Sequence, residues 1–447
     1  MRRVAQLVTL MSALALVACT LPSPAPSQKP APTAAPAAVP APRTAPTAPA
    51  AKGTPTTWQD TNLPITAAPG ASSDDSADER QDGEKRGPRT KMAADLATPR
   101  VVPTVTKPNL PTGLVQDVYV SGLMLPVAFE FTPDGKQLFV NELYGKVRLV
   151  ENGELKPDPV VALPTTQGLE QGALGLALDP NYAQNHWFYV LYSQAVEGKN
   201  EPRRNRIVRF TERGGKGVDE ELIFDNLPIG KPSPENLNGD HNGGRIGFGP
   251  DGKLYVTVGD TAKRSEARKA KSLFGKILRL NPDGSIPSDN PDPDEPIFAS
   301  GVRSPFGLDF QPGTGLPWIS DNGPQGDDEV HRVPRGGNLG WPEAAGKVGP
   351  GDGHWVDPVW DSGHERYGPT GLAFYTGNAV PEWRNDLFFC DWNTGSLWRL
   401  NLQPPAYDTS GKLEVVTQPC RLYVRNGPDG ALYFSDHHAI YRLGPPR

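Results

Sequence analysis

The chain has 447 residues and a formal net charge of −6, with no basic block in the part that reads as a folded domain. That balance argues against a nucleic-acid partner. The residues left after a long, compositionally biased N-terminal stretch are ample for one large core.

The first element is a leader. Arg2 and Arg3 precede an apolar run from Leu7 to Val17, which closes on Leu16-Val17-Ala18-Cys19. A basic start, a short apolar run and small residues at its end describe a secretory signal peptide, and the run is too short to span a bilayer as a helix. Its Leu-x-Ala-Cys ending resembles the bacterial lipoprotein box. That implies lipidation of Cys19 and, with Thr20 following, a place on the periplasmic side of the outer membrane, with lipid as the sole membrane contact. An ordinary signal peptide with an incidental cysteine is the alternative. Residues 20–110 are low in complexity: Pro, Ala and Thr dominate to Pro69, and a charged, Ser-containing stretch runs from Ser72 to Lys91. Neither part has the apolar density to offset chain entropy, so a disordered tether is expected.

From residue 111 to 447 the pattern is strand and turn. Six segments end on arginine followed by an apolar residue: Arg148-Leu149, Arg209-Phe210, Arg279-Leu280, Arg332-Val333, Arg399-Leu400 and Arg442-Leu443. Arg148 and Arg442 lie 294 residues apart over five intervals, about 59 residues each. Tight turns precede several of them, including Pro133-Asp134-Gly135, Pro250-Asp251-Gly252 and Pro428-Asp429-Gly430. Pro presets φ and Gly accepts positive φ, so each is a turn running into a strand. Short strands at this period predict an all-β fold, a six-bladed β-propeller with loops from every blade meeting at a central pocket. The strand expected over Val115–Val120 precedes the first full unit, and pairing it with the last blade would close the ring. Cys390 and Cys420 fall on neighbouring blades, as a disulfide or as two buried thiols.

The chemistry-bearing residues lie in the Gly- and Asp-rich segments between blades. His241 sits in Asn238-Gly-Asp-His-Asn-Gly-Gly-Arg245, and Asp260 follows nineteen residues later across a hairpin. A carboxylate that reaches an imidazole fixes its tautomer and raises its basicity. A surface histidine beside a turn aspartate is the plainer alternative. Arg303 lies in a Gly/Ser/Pro loop ahead of blade four, where a guanidinium can fork onto an anionic oxygen or simply face water. Asp321 to Glu329 is oxygen-rich and kinked by Gly323, Pro324 and Gly326. It suits a hard cation such as Ca²⁺, or its acids cap nearby backbone. Residues 193–205 and 348–367 are the loops expected to line the pocket.

Gln171 to Pro180, the His-Asn-Gly-Gly-Arg segment, Gly275 to Gly284, the Arg303 loop, Asp321 to Glu329 and Gly336 to Pro342 occur in that order. Together they resemble the soluble quinoprotein glucose/aldose sugar dehydrogenases, the glucose/sorbosone dehydrogenase family, over nearly all of residues 113–443. The resemblance implies pyrroloquinoline quinone (PQQ) over the propeller mouth and oxidation of an aldose at C1 to the lactone. It implies that His241 is the general base, that Asp260 orients it, and that Arg303 polarises the quinone oxygen. It implies that the carbonyls of Gly323 and Pro324 hold Ca²⁺. The sugar is then the small-molecule partner, and the electron acceptor is left undefined. The departures fall on the cofactor side. Asn393 stands where the family often has a lysine for a PQQ carboxylate, and Ser304 where an asparagine is common. Arg421 and Arg425 are out of step with an Arg-x-Arg pair of the same purpose. A non-catalytic propeller binding a ligand, glycan or protein at the same mouth is the alternative. A lactonase-type hydrolase needs a carboxylate-held metal at the axis, which this sequence does not assemble.

Overall fold

The computed structural model describes residues 110–447 apart from Gln167, Leu169, 232–238, Gln325, 350–353 and 404–406. The leader, Cys19 and the tether up to residue 109 lie outside the described residues. The described chain forms six antiparallel sheets. Blade one comprises Pro126–Phe131, Gln137–Glu142, Lys146–Glu151 and Glu154–Leu155, with Val161–Ala162 also on its third strand. Blade two comprises Ala173–Leu178, Trp187–Ala195, Pro202–Arg213 and Lys216–Leu227. Blade three comprises Gly243–Phe248, Leu254–Val258, Lys276–Leu280 and Ile297–Ser300. Blade four comprises Pro305–Phe310, Pro317–Asp321, Glu329–Arg332 and Trp360–Asp361. Blade five comprises Pro369–Phe374, Leu387–Asp391, Leu397–Gln403 and Asp408–Thr417. Blade six is composite: Val424–Asn426, Leu432–Ser435 and Ala439–Gly444 take Val115–Ser121 as the outermost strand, Val118 opposite Tyr441. The first and last strands of the ring are thus paired, which removes two sheet edges. This is a six-bladed β-propeller.

The first strands of blades one to six pack in succession, each on the next, so the innermost strands surround the axis. All six repeat arginines lie in the third strand of their blades. Their function is structural. Arg279 reaches Asp251 at 3.0 Å and Arg442 reaches Asp429 at 2.6 Å, each acid being the aspartate of the Pro-Asp-Gly turn in the same blade. The tyrosine opposite each arginine, Tyr255 or Tyr433, donates its hydroxyl to the same carboxylate at 3.0 and 3.2 Å. In blade five Arg399 likewise donates to an aspartate, Asp386, at 2.7 Å. In blades three and six the turn signal and the arginine signal are two ends of one hydrogen-bonded tie.

The fourth strands were beyond the repeat as read in the sequence. Lys216–Leu227 is mostly exposed and half-exposed, so it lacks the apolar alternation that marks a half-buried strand. Cys390, in the second strand of blade five, is bonded to Cys420 at the entry to blade six, with Cα atoms 4.9 Å apart.

Candidate active site

A cavity of about 450 Å³ opens on the axis. Its lining comes from the start of every blade: Val127, Leu174, Gly243, Arg245, Phe306, Thr370 and Leu422 form the wall and floor. Of the residues expected at the site, His241, Arg303, Ser304, Gly323, Pro324 and Asn393 line it.

His241 enters from the loop before the first strand of blade three. Its backbone is left-handed, φ +60°, an uncommon state for a residue with a side chain and one that must be held by its surroundings. Two bonds hold it: His241 N–H donates to Glu170 Oε2 at 2.5 Å, and Thr261 N–H donates to the His241 carbonyl at 3.1 Å. Gly259 makes room, since a Cβ there would stand 2.0 Å from that carbonyl oxygen. Nδ1 of His241 lies 2.9 Å from Asp260 Oδ1. An N–H at Nδ1 donating to this carboxylate leaves Nε2 as the basic nitrogen.

Asp260 is buried behind the histidine, outside the cavity lining. Its other oxygen accepts the Trp341 indole N–H at 2.8 Å, and Ala262 N–H donates to Oδ1 at 2.8 Å. Burial alone would raise this carboxyl, but the His241 imidazole and the Arg303 guanidinium outweigh it and hold the group below the ordinary carboxylate range. Asp260 is therefore a fixed anion beneath the imidazole. Trp341 was not singled out in the sequence as a site residue; its signal was the Gly336–Pro342 motif, which carried no evident chemistry.

Arg303 is 5 % exposed. Its chain is pinned by Asp321, whose two oxygens accept Arg303 N–H at 2.7 Å and Ser304 N–H at 2.6 Å. The Asp321 carboxyl is pushed up to about 7 by burial and by neighbouring Glu329. One terminal nitrogen of Arg303 donates to the carbonyls of Asn322 and Gly323 at 3.0 and 3.1 Å. Arg303 Nε is buried and meets no acceptor among the described residues.

The acids of the oxygen-rich loop act on backbone. Asp328 accepts Gly323 N–H on one oxygen and Tyr367 and Gly368 N–H on the other, at 3.1, 2.8 and 3.0 Å. Glu329 accepts Gly346 N–H at 2.6 Å. Among the described residues no cluster of three or more His, Cys, Asp or Glu side chains is placed to hold a metal.

One expectation on the cofactor side, Arg421, is corrected. Arg421 is not in the cavity lining; it donates to the carbonyls of Trp392 and Asn393 and fastens that turn. Arg425 is buried between Glu130 and Asp309, at 2.6 and 3.2 Å. None of residues 193–205 lines the cavity, because they form the end of the second strand of blade two, the start of its third and the turn between them, behind the axial strand. The 348–367 segment does contribute, through Arg366. Glu170, Arg245, Arg366 and Asp328 are further lining residues that sequence reasoning did not place.

The axial cavity thus carries a histidine backed by a buried aspartate, with an arginine on the same lining. The chain belongs to the glucose/sorbosone dehydrogenase family, whose pattern matches residues 123–442. It is 27 % identical to the aldose sugar dehydrogenase YliI of Escherichia coli over 332 residues, 69 % of this chain and 86 % of that protein. It superposes on the PQQ-bound aldose sugar dehydrogenase of Streptomyces coelicolor with a TM-score of 0.63 and 27 % identity, covering 75 % of this chain and 99 % of the other. It is also 34 % identical to human Hedgehog-interacting protein over 221 residues, 43 % of this chain and 31 % of that protein.

Proposed function

We propose that the protein oxidises an aldose at C1 to the lactone, with PQQ and Ca²⁺ at the axial cavity. The observation that carries this is the His241–Asp260–Trp341 chain of contacts, at 2.9 and 2.8 Å, ending in an imidazole on the cavity wall. Nε2 of His241 takes the proton of the C1 hydroxyl. Asp260 stabilises the resulting imidazolium, and Trp341 keeps the carboxylate from turning away. PQQ, when bound, supplies the two-electron sink that receives the C1 hydride, so the sugar loses one proton and one hydride.

The residues fit this group at its quinone end. Arg303 holds an unused, buried N–H donor at the cavity, suited to an oxygen that gains negative charge. Ser304, Thr370 and Asn393 add polar groups. The Gly323 and Pro324 carbonyls are the ligands proposed for Ca²⁺. The test is titration of the purified protein with PQQ and Ca²⁺, followed by dye reduction across several aldoses. The reading predicts turnover that His241→Ala removes; sugar oxidation unaffected by that substitution overturns it.

One observation favours a second reading, a propeller that binds a ligand or partner without PQQ. Apolar Leu422 lines the cavity, Cys420 is committed to a disulfide and Arg425 to two acids, all in the segment expected to supply cofactor-binding arginines. No PQQ binding at micromolar concentration with Ca²⁺ present is the outcome this second reading predicts.

A further inference from the structure

We infer that Trp341 is the positioning residue that joins the two halves of the site: its indole N–H fixes the aspartate behind the base, and its ring face steadies the arginine at the quinone end. This rests on the PQQ reading above. It gives the Gly336–Pro342 segment a role that extends beyond holding one carboxylate.

That segment is delivered to the site by backbone pairing. Ser300 N–H donates to the Gly337 carbonyl and Leu339 N–H to the Ser300 carbonyl, both at 2.9 Å, and Trp341 N–H donates to the Gly301 carbonyl at 3.2 Å. Ser300 ends the fourth strand of blade three, and Arg303 follows three residues later. Gly301 permits the approach. Its φ is +83°, and a Cβ there would stand 2.3 Å from Asn338 Oδ1 and 2.7 Å from Gly340 N. Trp341 is thus registered on the stretch of chain that leads into Arg303, and it is buried there.

The side chain then meets groups of both signs. Its indole N–H donates to Asp260 Oδ2 at 2.8 Å, while Asp260 Oδ1 lies 2.9 Å from His241 Nδ1. The guanidinium carbon of Arg303 lies over the same ring, 5.6 Å from its centroid, and that of Arg264 lies 4.7 Å from it. An indole suits both duties, since its edge is positive and its face negative. Asp260 and Arg303 are also joined directly, Asp260 N–H donating to the Arg303 carbonyl at 2.8 Å. The three residues form a closed triangle. Without the indole N–H, Oδ2 of a buried carboxylate loses this donor and the orientation presented to Nδ1 is held from one side only. Without the ring, the Arg303 guanidinium is held at one terminal nitrogen, by the Asn322 and Gly323 carbonyls, and its unused Nε–H loses a fixed direction.

The experiment uses the full chain and two substitutions. Trp341→Phe keeps an aromatic face and removes the N–H; Trp341→Leu removes both. Without PQQ, NMR of protein carrying isotope-labelled histidine reads exchange of the His241 Nδ1 proton with water, the signal being assigned by its loss in His241→Ala. Both substitutions are expected to speed that exchange about tenfold. With PQQ and Ca²⁺, Trp341→Phe should lower kcat about ten- to a hundredfold and leave KM for the aldose and PQQ affinity unchanged. Trp341→Leu should in addition weaken PQQ binding about tenfold. In the His241→Ala background Trp341→Phe should cost no further turnover, whereas a general loss of folding would lower it again. Unchanged proton exchange in Trp341→Phe, or turnover losses that add in the double variant, overturns this inference and spares the PQQ reading. No PQQ binding by the wild type overturns the PQQ reading, and the exchange measurement then upholds or overturns the role of the indole N–H.

Discussion

At the scale of the residue, the site is built around one constrained histidine. The left-handed backbone of His241 is costly for a residue with a Cβ, and the surrounding bonds from Glu170 and Thr261 hold it. That constraint aims Nδ1 at Asp260 and presents the other nitrogen to the cavity. A positioned general base contributes about 10²–10⁴-fold to rate. His241→Ala should therefore lower turnover by about that factor and leave thermal unfolding and PQQ affinity nearly unchanged, because cofactor binding rests on other groups. Steady-state kinetics with a saturating aldose, alongside PQQ titration, checks both halves.

At the scale of the element, the blade is held by the tie between its first turn and its third strand. Asp429 accepts from Arg442 and from the Tyr433 hydroxyl. Asp429→Ala leaves the buried Arg442 without its carboxylate, and urea unfolding should show a loss of about 1–3 kcal/mol. Asp134, in the equivalent Pro-Asp-Gly turn of blade one, bonds Thr132 and Lys136. Asp134→Ala should barely move the same transition, so identical turn motifs separate by what the third strand offers. Lys276, in the third strand of blade three, is 1 % exposed and donates to the carbonyls of Ala267 and Phe274, both at 2.8 Å. Burial pushes it down to about 8 from the ordinary 10.5. Between those pH values the unfolded chain holds a proton that the folded chain has released, so this group adds stability as pH rises. Relative to Lys276→Met, the wild type should gain up to roughly 3 kcal/mol from pH 8 to 10.5. Parallel denaturation curves across that range would contradict the assignment.

At the scale of the whole molecule, three devices hold the ring. The strand Val115–Ser121 completes blade six. Arg245 ties carbonyls around the axis, from the starts of blades one, two and four and from the entry to blade six. The Cys390–Cys420 bond links blade five to the entry of blade six across a separation of 30 residues. Closing a loop of that length in the unfolded chain is worth about 3–4 kcal/mol in the chain-entropy account. Guanidinium unfolding with and without reductant should differ by about that amount, and identical midpoints would show the bond to be energetically idle. The same bond places a half-cystine two residues before Leu422, which lines the cavity, so the device that stiffens the ring also occupies a stretch that could have carried cations.

The repeat and the pairing of His241 with Asp260 were legible in the sequence because each depends on local spacing, and the ring closure because one strand was left over ahead of the first full unit. A turn followed by an apolar strand recurs at a fixed period, and a hairpin brings its two ends together. The oxygen-rich loop was legible as a segment but open as to role; contacts with blade five and the 362–368 loop showed that its acids brace backbone. Trp341, Arg245 and Arg366 were not legible, since each acts across blades far apart in the chain. An arginine looks the same in sequence whether it faces water, joins four carbonyls on an axis or lines a cavity. Local pattern determined the propeller and the His241–Asp260 pair; the tertiary structure decided which cations reach the cavity, because that depends on how six blades meet.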